Sequence, residues 1–187
     1  MTTQARRLRE RAEREQLIIT AARELAEAEG WEAVTTRRLA ERVEYSQPVL
    51  YSHFAGKEAI MAAVAVEGFT EMAAHIRAAR ERSGDRLAGV CAAYLDFAER
   101  RPALYDAMFN RASTLPFATP EAPGALHDCF DELLAVVRPI AAGDDEGLLA
   151  ELLWSALHGL ATLTRGGRLP RELHERRLAL LLSRLSR

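Results

Sequence analysis

The sequence predicts an all-α fold of about nine helices. Apolar residues recur at spacings of three and four through almost the whole chain, and no stretch reads as a strand series. Gly, Pro and Asp clusters fall at the intervals that separate helices.

In chain order, Leu17, Ile18, Ala21, Leu25 and Ala28 outline a first helix that ends at Gly30, a residue suited to the left-handed C-cap. Thr35 or Thr36 offers an N-cap oxygen for a short second helix over 37–43. Ser46 is the N-cap candidate of a third, reaching Phe54. Gln47 and Pro48 then occupy its first two positions, where the missing proline N–H has no partner to lose. Ile60, Val64, Ala65, Gly68, Phe69, Met72 and Ile76 support one long helix over 57–82, closed by Ser83-Gly84-Asp85. Helices are expected at 85–100 and 102–112, the latter opened by Pro102. The loop STLPFATPEAPG leads to a helix at 124–140, and AAGDD to a strongly apolar one at 146–165. GGRLP precedes a last helix at 171–186 bearing Leu173, Leu178, Leu181, Leu182 and Leu185.

With 187 residues, 49% of them apolar and 28% charged, the chain can bury a sizeable core and is expected to be a soluble globular protein. No uninterrupted apolar run approaches the roughly 18 residues of a membrane span. The opening MTTQARRLRERAEREQ lacks the apolar core of a signal peptide, so a cytoplasmic location is expected. Cys91 and Cys129 then read as buried thiols and not a disulfide. Net charge is −2, but residues 1–14 hold five arginines against Glu10 and Glu13, a local +3. Residues 36–57 hold Arg37, Arg38, Arg42 and Lys57 against Glu41 and Glu44, a local +2, while 61–187 hold 15 basic against 17 acidic residues. Such an asymmetry is compatible with nucleic-acid contact at the N-terminal end.

Residues 36–54, two short helices around a tight turn, have the dimensions of a helix-turn-helix. Ala40 is small where the helices cross. Val43, Tyr45 and Leu50 can pack between them, with Leu39 and Phe54 closing the core. The exposed side of the second short helix is left with Gln47, Pro48, Val49, Tyr51, Ser52 and His53, with no Glu, Lys or Arg. Hydrogen-bonding groups mixed with small apolar surface suit base edges and methyl groups in a major groove.

TTRRLAERVEYSQPVLYSHFAGKEAI, within a match from about residue 15 to residue 66, resembles the DNA-binding signature of the tetracycline-repressor family of bacterial regulators. The portion holding Tyr51, His53, Phe54, Lys57 and Glu58 is its most specific part. The resemblance implies a helix-turn-helix DNA-binding domain at 1–58 and a helical ligand-binding and dimerisation domain at 59–187. The helix at about 57–82 joins them, and the last two helices dimerise. It implies further that Thr36 contacts phosphate, that Arg37 reaches guanine, and that Gln47 pairs with adenine. Pro48 and Val49 meet thymine methyls, Ser52 shares the exposed face, and Tyr51, His53 and Lys57 clamp the backbone. Where the family carries glycine in the turn, this chain has Glu44. If that position is left-handed, the side chain costs roughly 1 kcal/mol.

LLWSALHGLATL, with Trp154, His158 and Gly159, looks like the Trp-His-Gly subgroup of the family's C-terminal domains. Gly159, with Ala156, Leu160 and the Leu178, Leu181, Leu182 and Leu185 face, suggests a dimeric four-helix bundle, and two-fold symmetry suits a palindromic operator. Candidate ligand-pocket residues are Phe97, Tyr105, Met108, Phe109, Phe130, Trp154 and His158. For most of these, ordinary core packing is the simpler reading. His127 and Cys129 have no second pair to complete a zinc set, so neither metal nor cofactor is expected. The expected function is a repressor of double-stranded DNA released by an unknown small molecule. The alternatives are a helical adaptor, which the lack of a large apolar anchor on the exposed face disfavours, and an enzyme. No Gly-rich phosphate loop, nucleophile elbow or partnered carboxylate pair supports the enzyme.

Overall fold

The computed structural model describes residues 3–112, 115–117 and 119–185. Among them are nine α-helices and no strand: α1 (Thr3–Glu29), α2 (Thr36–Arg42), α3 (Gln47–His53), α4 (Lys57–Arg82), α5 (Arg86–Arg100), α6 (Pro102–Asp106), α7 (Gly124–Val137), α8 (Glu146–Arg165) and α9 (His174–Leu185). Three predicted helices are shorter than expected because their ends tighten or widen. The 102–112 segment passes from α6 into a π turn, Ala107–Arg111. α7 passes into a 3-10 turn at Arg138–Ile140, where Pro139 removes a donor. A 3-10 turn at Arg171–Leu173 precedes α9. Residues 113, 114 and 118 of the predicted loop and 186 of the predicted last helix lie outside the described residues.

The chain divides into two compact units, one of Met1–Gly68 with Arg101–Pro116, the other of Phe69–Arg100 with Phe117–Arg187. This cut differs from the sequence division at 58/59, and side chains of the first unit show why residues 101–116 join it. The Glu27 carboxylate accepts hydrogen bonds from the Ala103 and Leu104 N–H groups, two orphan donors at the start of α6. Trp31 Nε1 donates to the Ala103 carbonyl at 2.8 Å, and Arg111 bridges Glu32 and Asp106. Gly68 on α4 lies against Met108 and Leu104, where a Cβ would fall 2.8 Å from Met108 Cγ. The core of this unit is Ile18, Ala22, Leu25, Trp31, Leu39, Leu50, Ile60 and Val64, all buried. Leu17, counted in the apolar repeat of the first helix, is exposed.

In the second unit Val90, Cys91, Tyr94, Phe97, Leu133, Val137, Ala150, Leu153 and Leu157 form the core, contributed by α5, α7 and α8. Glu132 is the buried charged residue among those described, and Arg77 and Arg80 each donate to it at 2.7 Å. α4 is long and apolar enough by composition to cross a membrane, but half of its most apolar window is buried inside the protein. It is built as a core helix.

Candidate nucleic-acid interface

The helix-turn-helix is held by its caps. Thr35, not Thr36, caps α2: its hydroxyl accepts from Arg38 N–H, and Thr36 is the first helical residue. At the far end Tyr45 N–H bonds Ala40 C=O at 2.9 Å and Glu44 N–H bonds Glu41 C=O at 3.4 Å. This is the paired closure of a Schellman motif, with the left-handed C′ position filled by Glu44 at φ 58°. The turn expected from the sequence is therefore built with a glutamate in the conformation that favours glycine. Ser46 stands at the α3 N-cap in extended backbone, but its side chain makes no cap hydrogen bond. Leu39, Ala40, Val43 and Leu50 are buried between the helices as expected, whereas Tyr45 and Phe54 are only partly covered.

On the outer side, Gln47, Pro48, Val49, Tyr51 and Ser52 are all exposed. Thr36 Oγ1 and Tyr51 Oη approach to 3.5 Å across α2 and α3, placing both hydroxyls on one edge of that surface. Ser52 Oγ donates to Val49 C=O, so its proton is used within α3. Arg37 is 78% exposed in its side chain and, among the described residues, paired only with Glu41, four residues on. Such a surface pair contributes roughly 0–1 kcal/mol, so phosphate or guanine can displace it.

Two residues expected on this surface are engaged by other parts of the fold. The His53 side chain is only 6% exposed, with Nδ1 3.4 Å from Glu15 Oε1, so it ties α3 to α1. Lys57 donates to the Trp31 carbonyl at 2.8 Å, fixing the start of α4 to the 3-10 turn Trp31–Ala33 that follows α1. Nothing in spacing separates these roles from backbone clamping, because the partners lie 38 and 26 residues away. Arg38 is likewise forked onto Glu29 and Arg42 onto Glu24, tying α2 to α1. Of the four cations counted in 36–57, Arg37 has a partner within its own helix, Arg38 and Arg42 pair with α1 through contacts about half exposed, and Lys57 is held by the 3-10 turn after α1.

The candidate pocket residues fall in both units. In the first, Tyr105 and Met108 are fully buried, and the Tyr105 and Phe109 rings lie 4.7 Å apart. In the second, Phe97 is buried and Phe130 partly covered, while Trp154 Nε1 donates to Tyr94 Oη at 3.1 Å. Tyr94, a fully buried polar side chain, was not singled out in the sequence; this bond sets it apart from purely apolar core. His158 lies 6.4 Å ring to ring from Trp154 and within 3.4 Å of Thr162 Oγ1. Burial, with the nearby Arg165 charge, lowers its pKa below the usual 6.5.

Of the expected dimer residues, Gly159 faces open space, and Ala156 and Leu160 are partly covered. α9 buries none of its residues. Sequence reading missed Leu148, Leu152, Leu163 and Leu180, which stand 60%, 66%, 40% and 58% exposed. The signal was present: Leu148, Leu152, Ala156, Gly159 and Leu163 step by four, four, three and four along one side of α8.

Comparison with known proteins shows where these features recur. Residues 87–185 match the family described as tetracyclin repressor-like, C-terminal domain, and 18–64 match the bacterial regulatory proteins of the tetR family. The chain is 35% identical over 95 residues to the HTH-type transcriptional regulator YobS of Bacillus subtilis, a match covering 50% of each chain. It therefore spans about half the length of that relative. It is 50% identical over 48 residues to the class C tetracycline repressor protein of Escherichia coli, covering 26% of this chain and 22% of that one. A Rhodococcus sp. RHA1 structure of a protein with unknown function superposes with a TM-score of 0.76 at 25% identity, covering 92% of this chain and 93% of that one.

Proposed function

The chain belongs to the tetracycline-repressor family of bacterial transcriptional regulators, DNA-binding proteins with a ligand-binding C-terminal domain, and we propose that it acts as a homodimeric repressor of a palindromic operator. The observation that carries this reading is the outer surface of α3. Gln47, Pro48, Val49, Tyr51 and Ser52 present amide, hydroxyl and small apolar groups with no charge of their own, held rigidly by the Schellman turn and the buried Leu50. Gln47 offers the paired donor and acceptor that adenine N7 and N6 require, and Val49 the apolar contact for a thymine methyl. Arg37, with a displaceable pair, supplies the guanine contact, and the Thr36 and Tyr51 hydroxyls hold phosphates at one edge. His53 and Lys57 act behind this surface by fixing α3 to α1 and α4 to the turn that follows α1.

Dimerisation through α8 and α9 covers the Leu148, Leu152, Leu163 and Leu180 surface and gives two recognition helices related by a two-fold axis. A small effector binds the helical body beside Trp154 and His158. Binding there favours a conformation in which the two α3 helices no longer match their half-sites.

The test is a selection of genomic fragments bound by the purified chain, run beside Arg37→Ala/Gln47→Ala. Wild type enriches a palindrome and the double variant loses it. Equal enrichment by both proteins contradicts base reading by α3.

A further inference from the structure

The recognition helix α3 has only 7 residues, about two turns, so its aim depends on what holds each end. Its first turn follows the closure at Glu44, and the fully buried Leu50 anchors its middle. Its last carbonyls lie past the internal ladder of the helix and need partners from elsewhere. One of them, Ser52 C=O, accepts from Arg11 Nη2 on α1 at 3.4 Å.

Both grips on this end of α3 run through one carboxylate. Glu15 Oε1 accepts from Arg11 Nε at 2.8 Å, one turn earlier on α1, and stands 3.4 Å from His53 Nδ1. An ionised carboxylate only accepts, so Nδ1 carries the proton in the bonded pair. The contact is covered from solvent. The His53 side chain is 6% exposed, and of residues 11–17 Glu15 alone is partly covered while the rest are exposed. The Arg11 side chain is 55% exposed and its bond to Ser52 is long, so without Glu15 to direct it water replaces that bond readily.

We infer that Glu15 is a positioning residue for base reading. By accepting from His53 and holding Arg11 toward the Ser52 carbonyl, it sets how the last turn of α3 faces, and with it the presentation of Gln47, Val49 and Tyr51. The inference rests on base reading by α3 and adds a residue that never meets DNA. It also gives His53 a partner within the protein in place of the phosphate that the family resemblance assigns to it. The sign of the charge makes the two roles separable. A carboxylate close to a duplex repels phosphate, so by charge alone its removal raises affinity for every sequence. Positioning predicts a loss confined to the specific site.

The experiment measures binding constants at one salt concentration on the fragment that wild type enriches and on an unrelated duplex. The proteins are wild type, Glu15→Ala, Glu15→Gln, His53→Phe and Glu15→Ala/His53→Phe, each verified as folded by a thermal melt. Glu15→Ala loses about tenfold on the enriched fragment, the scale of one misaligned base contact, and keeps or gains affinity on the unrelated duplex. Glu15→Gln removes the same charge but keeps an acceptor at the same reach, and it retains wild-type discrimination. His53→Phe keeps a ring and removes the donor, and it lowers discrimination as Glu15→Ala does. The double variant loses no more than either single one, because the pair acts as a unit. Wild-type discrimination in Glu15→Ala overturns the inference, as do equal losses on both duplexes, matching behaviour of the alanine and glutamine variants, or additive losses in the double variant. Wild-type protein that binds both duplexes equally overturns base reading by α3, and the inference with it.

Discussion

Glu44 shows how a single residue is chosen against its own conformational preference. Its φ of 58° lies in the left-handed region, where a Cβ costs on the order of 1 kcal/mol, and the closing hydrogen bonds come from the backbone alone. Glu44→Gly is therefore expected to keep or raise the melting temperature; a clear drop would mean the glutamate side chain contributes to the turn. Gly68 is the opposite case. A methyl group there would lie 2.8 Å from the buried Met108 side chain, so Gly68→Ala is expected to cost about 1–3 kcal/mol in chemical denaturation. Cys91 and Cys129 are both free and buried, and desolvation pushes each thiol to about 12. Neither is expected to react with a thiol reagent at pH 8 until the chain is unfolded, which a timed labelling assay with and without denaturant reads. His158 has its pKa lowered in the fold by burial, so below pH 6.5 the unfolded chain takes up a proton that the folded chain resists. Stability is expected to fall as pH drops through 6.5, and by less in His158→Gln; parallel pH profiles of the two proteins would contradict this.

At the scale of elements, much was legible in the sequence and the rest was hidden for a definite reason. Helix existence followed from periodicity and the tight turn from the short gap between two helices, while its left-handed geometry at Glu44 entered only as a condition suggested by the family resemblance. The buried face of α4 followed from Ile60, Val64, Ala65, Phe69, Met72 and Ile76, all of which are buried. Partners across the fold were not legible. Lys57 read as a backbone clamp and Arg38 and Arg42 as part of a local charge excess, and the sequence did not show that each is bound by α1 or the chain just after it. His53 read as exposed from its place in a short helix, but Glu15 lies opposite it. Likewise 101–116 packs with the first unit because Glu27 and Trp31 supply hydrogen bonds to Ala103 and Leu104, a pairing that spans more than 70 residues. The charge excess of residues 1–14 was visible in composition, while the contact of Arg11 with the Ser52 carbonyl on α3, 41 residues on, was not.

For the whole molecule the account turns on symmetry. Exposed Leu148, Leu152 and Leu180 leave apolar surface for the proposed dimer, so Leu152→Glu/Leu180→Glu is expected to shift the chain from dimer to monomer in light scattering. Because the substituted side chains are exposed, each subunit should keep its helical spectrum while losing palindrome binding. A variant that stays dimeric would place the interface elsewhere. The most direct measurement is a hydroxyl-radical footprint of wild-type protein on its enriched genomic fragment. The account predicts two equivalent protected half-sites related by a two-fold axis, their centres about 34–36 Å apart or a multiple of that. A single unsymmetrical protected patch would contradict it.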